Sequence, residues 1–196
     1  MASQQMTAPP GGAKSSRHPA AFLDRDGVLN ADIAYLHRPE DFSWIEGAIE
    51  AVKTLNAANY LVIVITNQAG VARGFYDEAA VNALHGWMNE ELSRHGARID
   101  AFYYCPHHPQ ATVARYAREC NSRKPGPGML LRAMRELPVL KDKSLAVGDK
   151  ESDIEAARRA GIPGYLFTGG NLQQFVERIL GSTATVSSRS ARPSRA

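Results

Sequence analysis

Short apolar runs and longer amphipathic segments alternate along this chain. Runs that are apolar at every position are typical of strands buried on both faces, and a 3.6-residue period indicates helices. The predicted strands are residues 20–24, 61–65, 101–104, 144–147 and 164–167. The predicted helices are residues 47–58, 77–95, 128–136 and 151–160. This alternation predicts an α/β fold: a doubly wound, Rossmann-like parallel sheet with helices on both faces.

The length and the distribution of charge indicate one folded domain between two tails. The chain has 196 residues, of which 44% are hydrophobic, enough for one α/β domain. Residues 1–19 and 181–196 are rich in Ser, Pro, Gly and Ala, so we expect disordered tails around a domain at residues 20–180. The tails hold five of the 23 basic residues and no acid, which leaves 18 bases against 20 acids in the domain. A domain with this balance is not expected to bind nucleic acid.

Membrane insertion and secretion are not expected from this sequence. No apolar run approaches the ~20 residues that a membrane-spanning helix needs, and the first residues lack the apolar segment of a signal peptide. The two cysteines cannot form a disulfide-rich scaffold. We therefore expect a cytoplasmic protein without a membrane partner, and we expect it to be a monomer.

Polar residues follow two of the predicted strands, at the edge of the sheet where parallel α/β folds bind ligands. Asp24 and Asp26 are two residues apart and can project to the same side, so one can attack a substrate while the other handles protons. Thr66, Asn67 and Gln68 offer a hydroxyl and two amides that could hold phosphate oxygens. Both segments also suit ordinary turns and helix caps.

Other segments contribute cations and a further carboxylate. Arg73, between glycines, could bind a phosphate through two hydrogen bonds. Arg123 and Lys124 precede a predicted helix and could neutralise a phosphoryl group. Asp149 follows a predicted strand and could complete a magnesium site, with Lys150 beside it as a substrate-binding cation. Each residue alone also suits a solvated surface, so their joint order along the chain is what suggests a site.

This order of motifs resembles the haloacid dehalogenase-like phosphatase superfamily, from the first predicted strand to the last. The resemblance implies that Asp24 is a nucleophile that becomes an aspartyl phosphate and that Asp26 is the acid and base. It implies that Thr66 and Lys124 bind the transferring phosphoryl group. It also implies a magnesium ion held by Asp24, Asp149 and the main-chain carbonyl of Asp26.

The spacing of these motifs excludes the large cap domain that many superfamily members carry. Only 39 residues separate Asp26 from Thr66, and 57 separate Thr66 from Lys124. Most of these residues belong to predicted core elements, so substrate specificity must come from loops. The loops in question are residues 30–44, 69–76 and 105–122.

Four segments closely resemble the D-glycero-D-manno-heptose 1,7-bisphosphate 7-phosphatase family. They are residues 22–27, 66–74, 105–110 and 120–131. The resemblance implies a small phosphorylated sugar as substrate, whose 7-phosphate is hydrolysed during synthesis of nucleotide-activated heptose for lipopolysaccharide. Arg73 and Arg123 are the candidates for binding the phosphate that remains on the product.

The resemblance also raises the question of a structural zinc ion in the loop at residues 105–122. The family binds zinc there through Cys-x-His and Cys-x-Cys, and Cys105, His107 and Cys120 match three of the four ligands. Ser122 stands at the fourth position, where a neutral hydroxyl is a poor substitute for a thiolate. His108 or a water molecule could complete the set. We expect zinc to be weakly held or substoichiometric.

Three other functions remain open at this point. Histidinol-phosphate phosphatase shares the zinc-type loop, but its two ligand pairs lie closer together than the 12 residues between His107 and Cys120. Polynucleotide 3′-phosphatase shares the motifs around Thr66 and Lys124, but the acidic balance of the domain argues against a polynucleotide substrate. A non-catalytic phospho-acceptor would not need Asp26.

Overall fold

A five-stranded parallel sheet forms the centre of the fold, as the sequence predicts. The structure is a computed structural model and describes residues 16–189. The strands lie in the order β3-β2-β1-β4-β5, and every pair is parallel. They are β1 (Ala20–Leu23), β2 (Leu61–Asn67), β3 (Ala101–Cys105), β4 (Leu145–Gly148) and β5 (Gly164–Leu166).

Helices cover both faces of the sheet, which confirms the doubly wound arrangement. The helices are α1 (Ala48–Ala57), α2 (Ala69–Arg73), α3 (Glu78–Arg94), α4 (Gly128–Glu136), α5 (Glu151–Ala160) and α6 (Leu172–Arg189). Three short 3₁₀ turns lie at Pro39–Asp41, Ala114–Tyr116 and Lys141–Lys143. Within residues 16–189 no cap domain is inserted, in agreement with the spacing argument.

Alternate residues of each strand pack against different helical layers, because successive side chains of a strand point to opposite faces. In β1, Ala21 and Leu23 pack in the core formed with α1, α3 and α6. Ala20 and Phe22 pack in the second core, with α4 and α5. Every residue of β1 is therefore buried, which explains why it is apolar at each position.

Helix α3 begins where the sequence indicates. The Asp77 side chain accepts a hydrogen bond from the Ala80 backbone N–H at 2.8 Å, which satisfies one of the free donors at a helix N-terminus. Helices α4 and α5 also have the predicted limits, at residues 128–136 and 151–160.

Two helices and two terminal segments differ from the sequence-based expectations. The single turn of α2 and all of α6 were not predicted. Residues 181–189, expected in a tail, continue α6. The first turns of α6 hold it in place, because Leu172, Val176 and Ile179 bury apolar side chains in the core shared with α1. Residues 16–19 belong to the expected N-terminal tail but pack on the domain, where the His18 N–H donates to the Pro138 carbonyl at 2.8 Å. The remaining predicted tail residues, 1–15 and 190–196, lie outside the described range.

No helix within residues 16–189 has the length and apolar composition needed to cross a membrane.

Candidate active site

A cavity of about 440 Å³ opens at the carboxyl ends of the strands, beside the point where the chain order reverses between β1 and β4. This is the place where open α/β sheets bind ligands. Eight of the residues singled out from the sequence line the cavity: Asp24, Asp26, Thr66, Asn67, Gln68, Arg123, Lys124 and Lys150. The fold therefore brings together side chains that come from four separate segments.

A buried cluster of charges forms the floor of this cavity. The Lys124 ammonium lies 2.8 Å from Asp24 Oδ2 and 2.6 Å from Asp153 Oδ1. It also donates to the main-chain carbonyl of Ile65 at 3.0 Å. All three charged side chains are buried. Two carboxylates thus share one ammonium, and the cluster carries an excess of negative charge.

Burial and pairing act in opposite directions on the pKa values of this cluster. Burial raises the pKa of Asp24 to about 6, and the adjacent Lys124 ammonium limits the rise. For Lys124, burial favours the neutral amine, but the carboxylates of Asp24 and Asp153 outweigh it and raise the pKa. The lysine is therefore held in its charged form, and Asp24 is mostly ionised at neutral pH.

Asp149 completes a group of three carboxylates suited to a hard divalent cation. One oxygen each of Asp24, Asp149 and Asp153 lies within 4.8 Å of the others. Asp149 Oδ1 is buried and accepts no hydrogen bond from the residues that the structure describes. Burial raises the pKa of Asp149, and the nearby Lys150 ammonium only limits the rise. Carboxylate oxygens are the ligands that Mg²⁺ prefers, so this donor set fits that ion.

A glycine makes this approach of the strand ends possible. Gly27 has a φ of 84°, and a Cβ on it would overlap the Asp149 carboxylate. The turn after Asp26 can therefore take only glycine without moving Asp149. This explains in physical terms why the Asp-x-Asp motif is followed by glycine.

The Asp26 carboxylate is held by donors from three other side chains. Arg25 donates to both of its oxygens, at 3.0 Å to Oδ2 and at 3.1 and 3.2 Å to Oδ1. Asn30 Nδ2 donates to Oδ1 at 3.0 Å, and Gln68 Nε2 donates to Oδ2 at 3.1 Å. The side chain of Asp26 remains part-exposed and lines the cavity. Its position is thus set without a contact to Asp24.

Two of the predicted phosphate-binding residues are engaged with the protein itself. The Asn67 side chain accepts from the Lys124 N–H at 3.0 Å and donates to the Lys124 carbonyl at 3.2 Å. Gln68 Nε2 donates to Asp26 and, at 2.8 Å, to Thr66 Oγ1. Because Thr66 Oγ1 accepts this bond, its own hydroxyl proton is available to donate to a phosphoryl oxygen that binds in the cavity. In this arrangement Asn67 and Gln68 orient other site residues, and the direct phosphate contacts predicted for them stay a prediction.

Cations lie around the mouth of the cavity. Lys150 is exposed and pairs with Asp32 at 3.0 Å and with Asp149 at 3.5 Å. Arg123 lines the cavity, and burial together with the nearby positive charge of Arg73 lowers its pKa. Arg73 is exposed and is not among the lining residues; its guanidinium lies 5.7 Å from the centroid of the Tyr35 ring.

The loop after β3 brings Cys105, His107 and Cys120 together, with one ligand atom of each within 4.8 Å of the others. Arg118 lies 2.7 Å from His107 Nε2. A guanidinium can only donate, so in this arrangement a neutral His107 carries its proton on Nδ1, which is 3.7 Å from Cys105 Sγ. Burial raises the pKa of the Cys105 thiol to about 12. His108 is not part of this cluster. Its Nδ1 accepts from the Gln110 N–H at 3.0 Å.

Several residues of the site were not identified from the sequence. Asp153 was assigned no role from the sequence, yet it pairs with Lys124. Arg25, Asn30 and Tyr76 were passed over. The spacing of four residues between Asp149 and Asp153 at the start of a helix was a usable signal for Asp153. Arg25, Asn30 and Tyr76 either bond to residues that are distant in the chain or form short local bonds. No spacing rule reveals contacts of either kind.

Comparisons with known proteins identify the family of this chain. A family model described as HAD-hydrolase-like matches residues 121–184. A D-glycero-beta-D-manno-heptose-1,7-bisphosphate 7-phosphatase of Rhodopseudomonas palustris is 49% identical over 168 residues, which are 86% of this chain and 93% of that protein. A D-glycero-alpha-D-manno-heptose-1,7-bisphosphate 7-phosphatase of Photorhabdus laumondii is 43% identical, over 73% of this chain and 78% of the relative.

A solved structure of D,D-heptose 1,7-bisphosphate phosphatase from B. bronchiseptica, complexed with magnesium and phosphate, is similar in fold. It superposes with a TM-score of 0.74 and 33% identity, over 84% of this chain and 99% of that chain.

The parallel sheet and the cluster of carboxylates and lysine at its edge define a haloacid dehalogenase-like phosphatase. Within that class, the chain belongs to the D-glycero-D-manno-heptose 1,7-bisphosphate 7-phosphatase family.

Proposed function

We propose that this protein hydrolyses the 7-phosphate of D-glycero-D-manno-heptose 1,7-bisphosphate through an aspartyl phosphate on Asp24. The observation that carries the proposal is the buried ion pair of Asp24 and Lys124 at 2.8 Å on the floor of the cavity, with Asp26 two residues away. Its substrate is proposed from relatives named for this activity, one of which is 49% identical.

In the first step, an oxygen of Asp24 attacks the phosphorus of the 7-phosphate. Lys124 neutralises charge on the attacking carboxylate and on the phosphoryl oxygens, while the Thr66 hydroxyl donates to one of those oxygens. Asp26 gives its proton to the sugar oxygen as the phosphorus–oxygen bond breaks. Positioned charge of this kind is the main contribution that a protein makes to phosphoryl transfer.

In the second step, the aspartyl phosphate on Asp24 is hydrolysed. Asp26 is now ionised, and it removes a proton from the water that attacks the phosphorus. Phosphate leaves, and Asp24 returns to its carboxylate form. The same carboxyl group thus serves as acid and then as base, which requires that it face the reacting oxygen in both steps.

Magnesium is the cofactor that the donor set fits, and Asp24, Asp149 and the main-chain carbonyl of Asp26 would hold it. Bound there, Mg²⁺ would offset the repulsion between the Asp24 carboxylate and the phosphate dianion. Asp153 is the fourth acid nearby, but one of its oxygens pairs with Lys124 and the other accepts from the Lys150 N–H at 3.0 Å. We therefore assign Asp153 to holding Lys124.

The phosphate that stays on the product needs cationic partners away from Lys124. Arg123 lines the cavity, and Arg73 lies close enough to lower its pKa. Two neighbouring guanidinium groups repel each other and create a positive potential. A phosphate dianion bound between them would reduce that repulsion. We assign these arginines to the 1-phosphate, and Lys150 to the sugar or its phosphate at the opposite side of the cavity mouth.

A substrate panel tests the proposal directly. We expect the 1,7-bisphosphate to give heptose 1-phosphate and inorganic phosphate, with a higher kcat/KM than histidinol phosphate or a 3′-phosphorylated oligonucleotide. We expect the β anomer to be preferred to the α anomer, following the 49% identical relative. Chelation of Mg²⁺ should abolish turnover. A preference for histidinol phosphate, or for the oligonucleotide, would reject the heptose assignment.

Zinc in the loop of Cys105, His107 and Cys120 is expected to be weak or substoichiometric, because the fourth family position is Ser122. Restoring that ligand with Ser122→Cys should raise the zinc content towards one ion per chain and raise the Tm. Structural zinc can contribute an apparent ~10–16 kcal/mol when its ligand set is complete. Metal analysis of protein purified without chelator measures the effect, with Ser122→Ala as the matched control. One tightly bound zinc in the unaltered protein, with no gain from Ser122→Cys, would show that another group completes the site.

A further inference from the structure

The side-chain amide of Gln68 has only one orientation that satisfies its neighbours. The Tyr76 hydroxyl lies 2.9 Å from Oε1, and Arg25 lies 3.3 Å from the same oxygen. Because a guanidinium can only donate, the amide oxygen must face it. The amide nitrogen then faces Asp26 Oδ2 at 3.1 Å. Tyr76 and Arg25 thus fix the orientation of the Gln68 amide, and the amide in turn orients the carboxyl group of Asp26.

Tyr76 is held so that it keeps donating to Gln68. Its ring stacks on His37, with a distance of 4.7 Å between the ring centroids. A Cβ on Gly70 would overlap the Tyr76 ring, so the glycine makes room for it. Burial raises the pKa of Tyr76 to about 12, which keeps the hydroxyl protonated at neutral pH. The hydroxyl therefore remains a donor over the pH range of an ordinary assay.

The same contacts connect Asp26 with both loops at the mouth of the cavity. Tyr76 and His37 belong to the loops at residues 69–76 and 30–44. Arg25, which is fully buried, donates to the Leu36 carbonyl at 2.9 Å as well as to Asp26. The position of the acid therefore depends on the loops that surround the substrate.

We propose that Gln68 and Tyr76 are positioning residues for proton transfer by Asp26: the Tyr76 hydroxyl orients the Gln68 amide, which aims the Asp26 carboxyl group at the leaving oxygen of the sugar. The inference rests on the proposed function, in which the proton of Asp26 passes to that oxygen as the bond to phosphorus breaks. Neither residue touches the reacting atoms. Loss of either residue lets the Asp26 carboxyl group turn away from the leaving oxygen, while Asp24 and Lys124 stay in place.

The leaving group of the substrate distinguishes this role from a general structural one. A sugar oxygen leaves as an alkoxide and needs a proton, whereas p-nitrophenolate is stable and needs little help. The value of kcat/KM covers the steps up to transfer of the phosphoryl group to Asp24. We therefore compare kcat/KM for p-nitrophenyl phosphate with that for the best alkyl phosphate of the substrate panel.

For Gln68→Leu we expect a loss of ~10–100-fold in kcat/KM with the alkyl phosphate, which does not exceed the ~10²–10⁴-fold that a general acid supplies. The loss with p-nitrophenyl phosphate should be smaller and reflects the bond that Gln68 also donates to Thr66 Oγ1. Tyr76→Phe removes only the hydroxyl and should give a smaller loss with the same selectivity. Tyr103→Phe is the matched control, because its hydroxyl bonds Glu136 at 3.0 Å in another part of the fold. It should show no selectivity between the two substrates.

Asp26→Asn provides the reference for complete loss of the acid and should be the most selective variant. Equal losses with both substrates in Gln68→Leu and in Tyr76→Phe, beside a selective Asp26→Asn, would overturn the positioning role and leave the proposed function intact. If Asp26→Asn itself lacks selectivity, the proposed acid role of Asp26 is rejected, and the positioning role with it.

Discussion

Replacing Asp24 by Asn is expected to reduce kcat by ~10⁴-fold or more, because an amide does not attack phosphorus and no other carboxylate is placed to do so. The Asp26 carboxylate is engaged by Arg25, Asn30 and Gln68. Asp153 pairs with Lys124. The covalent phosphate that can be trapped on the unaltered protein during turnover should also be absent from Asp24→Asn. Substantial turnover in Asp24→Asn, with the same substrate preference as the unaltered protein, would contradict the aspartyl-phosphate mechanism.

The same substitution should not harm stability when magnesium is removed. Burial raises the pKa of Asp24 to about 6 in the folded state, from an ordinary value of 3.8 in the unfolded chain. The favourable contribution of this group is therefore fully present below pH ~4 and is lost as the pH rises through 6. In Asp24→Asn, we expect this part of the pH dependence to vanish.

Thermal unfolding in the presence of EDTA, between pH 4 and 7.5, measures this effect. Asp142→Asn is the control, because Asp142 is an exposed aspartate outside the buried cluster of Asp24, Lys124 and Asp153. A pH dependence in Asp24→Asn equal to that of the unaltered protein would show that other groups cause it. The nucleophile is thus held at some cost in stability, as is common at active sites.

The sheet could be predicted from the sequence because its strands are short runs of consecutive apolar residues, whereas the amphipathic helices and the turns interrupt such runs with polar residues. Residues 61–65 are apolar at every position, and all but the first are buried. Helices α4 and α5 were found because glycine and proline mark their ends. Helix α2 has only five residues, too few for a period to be read. Helix α6 continues into Ser- and Thr-rich sequence, whose composition favours a tail. The packing of α6 against α1, which composition does not reveal, stabilises the helix.

The residues that carry charge in the site could be predicted, but the bonds between them could not. Strand ends locate Asp24, Thr66 and Asp149 without reference to packing. In contrast, Asn67 bonds Lys124, which is 57 residues further along the chain. The preference of an amide for one of several nearby partners depends on distances of a few tenths of an ångström. No periodicity or spacing in the sequence records such distances.

Removal of Lys124 is expected to affect both catalysis and stability more than any other loss of a cation from the site. Lys124→Met keeps the apolar stem but leaves Asp24 and Asp153 buried without their shared partner. Loss of one partner from a buried ion pair typically costs about 3–5 kcal/mol. The phosphoryl group would also lose its cation, so kcat should fall by ~10³-fold or more.

The sign of the pH dependence identifies the cause of this instability. With the ammonium gone, the two carboxylates resist ionisation, so Lys124→Met should be most unstable above the pH at which Asp24 ionises and should regain stability in acid. Adding Asp153→Asn to Lys124→Met removes one uncompensated charge and should restore part of the Tm at neutral pH without restoring kcat. Arg158→Met is the matched control, because its ion pair with Glu155 is exposed and should contribute little. A stability loss in Lys124→Met that is the same at every pH, and that Asp153→Asn does not relieve, would mean that lost packing rather than unpaired charge causes it.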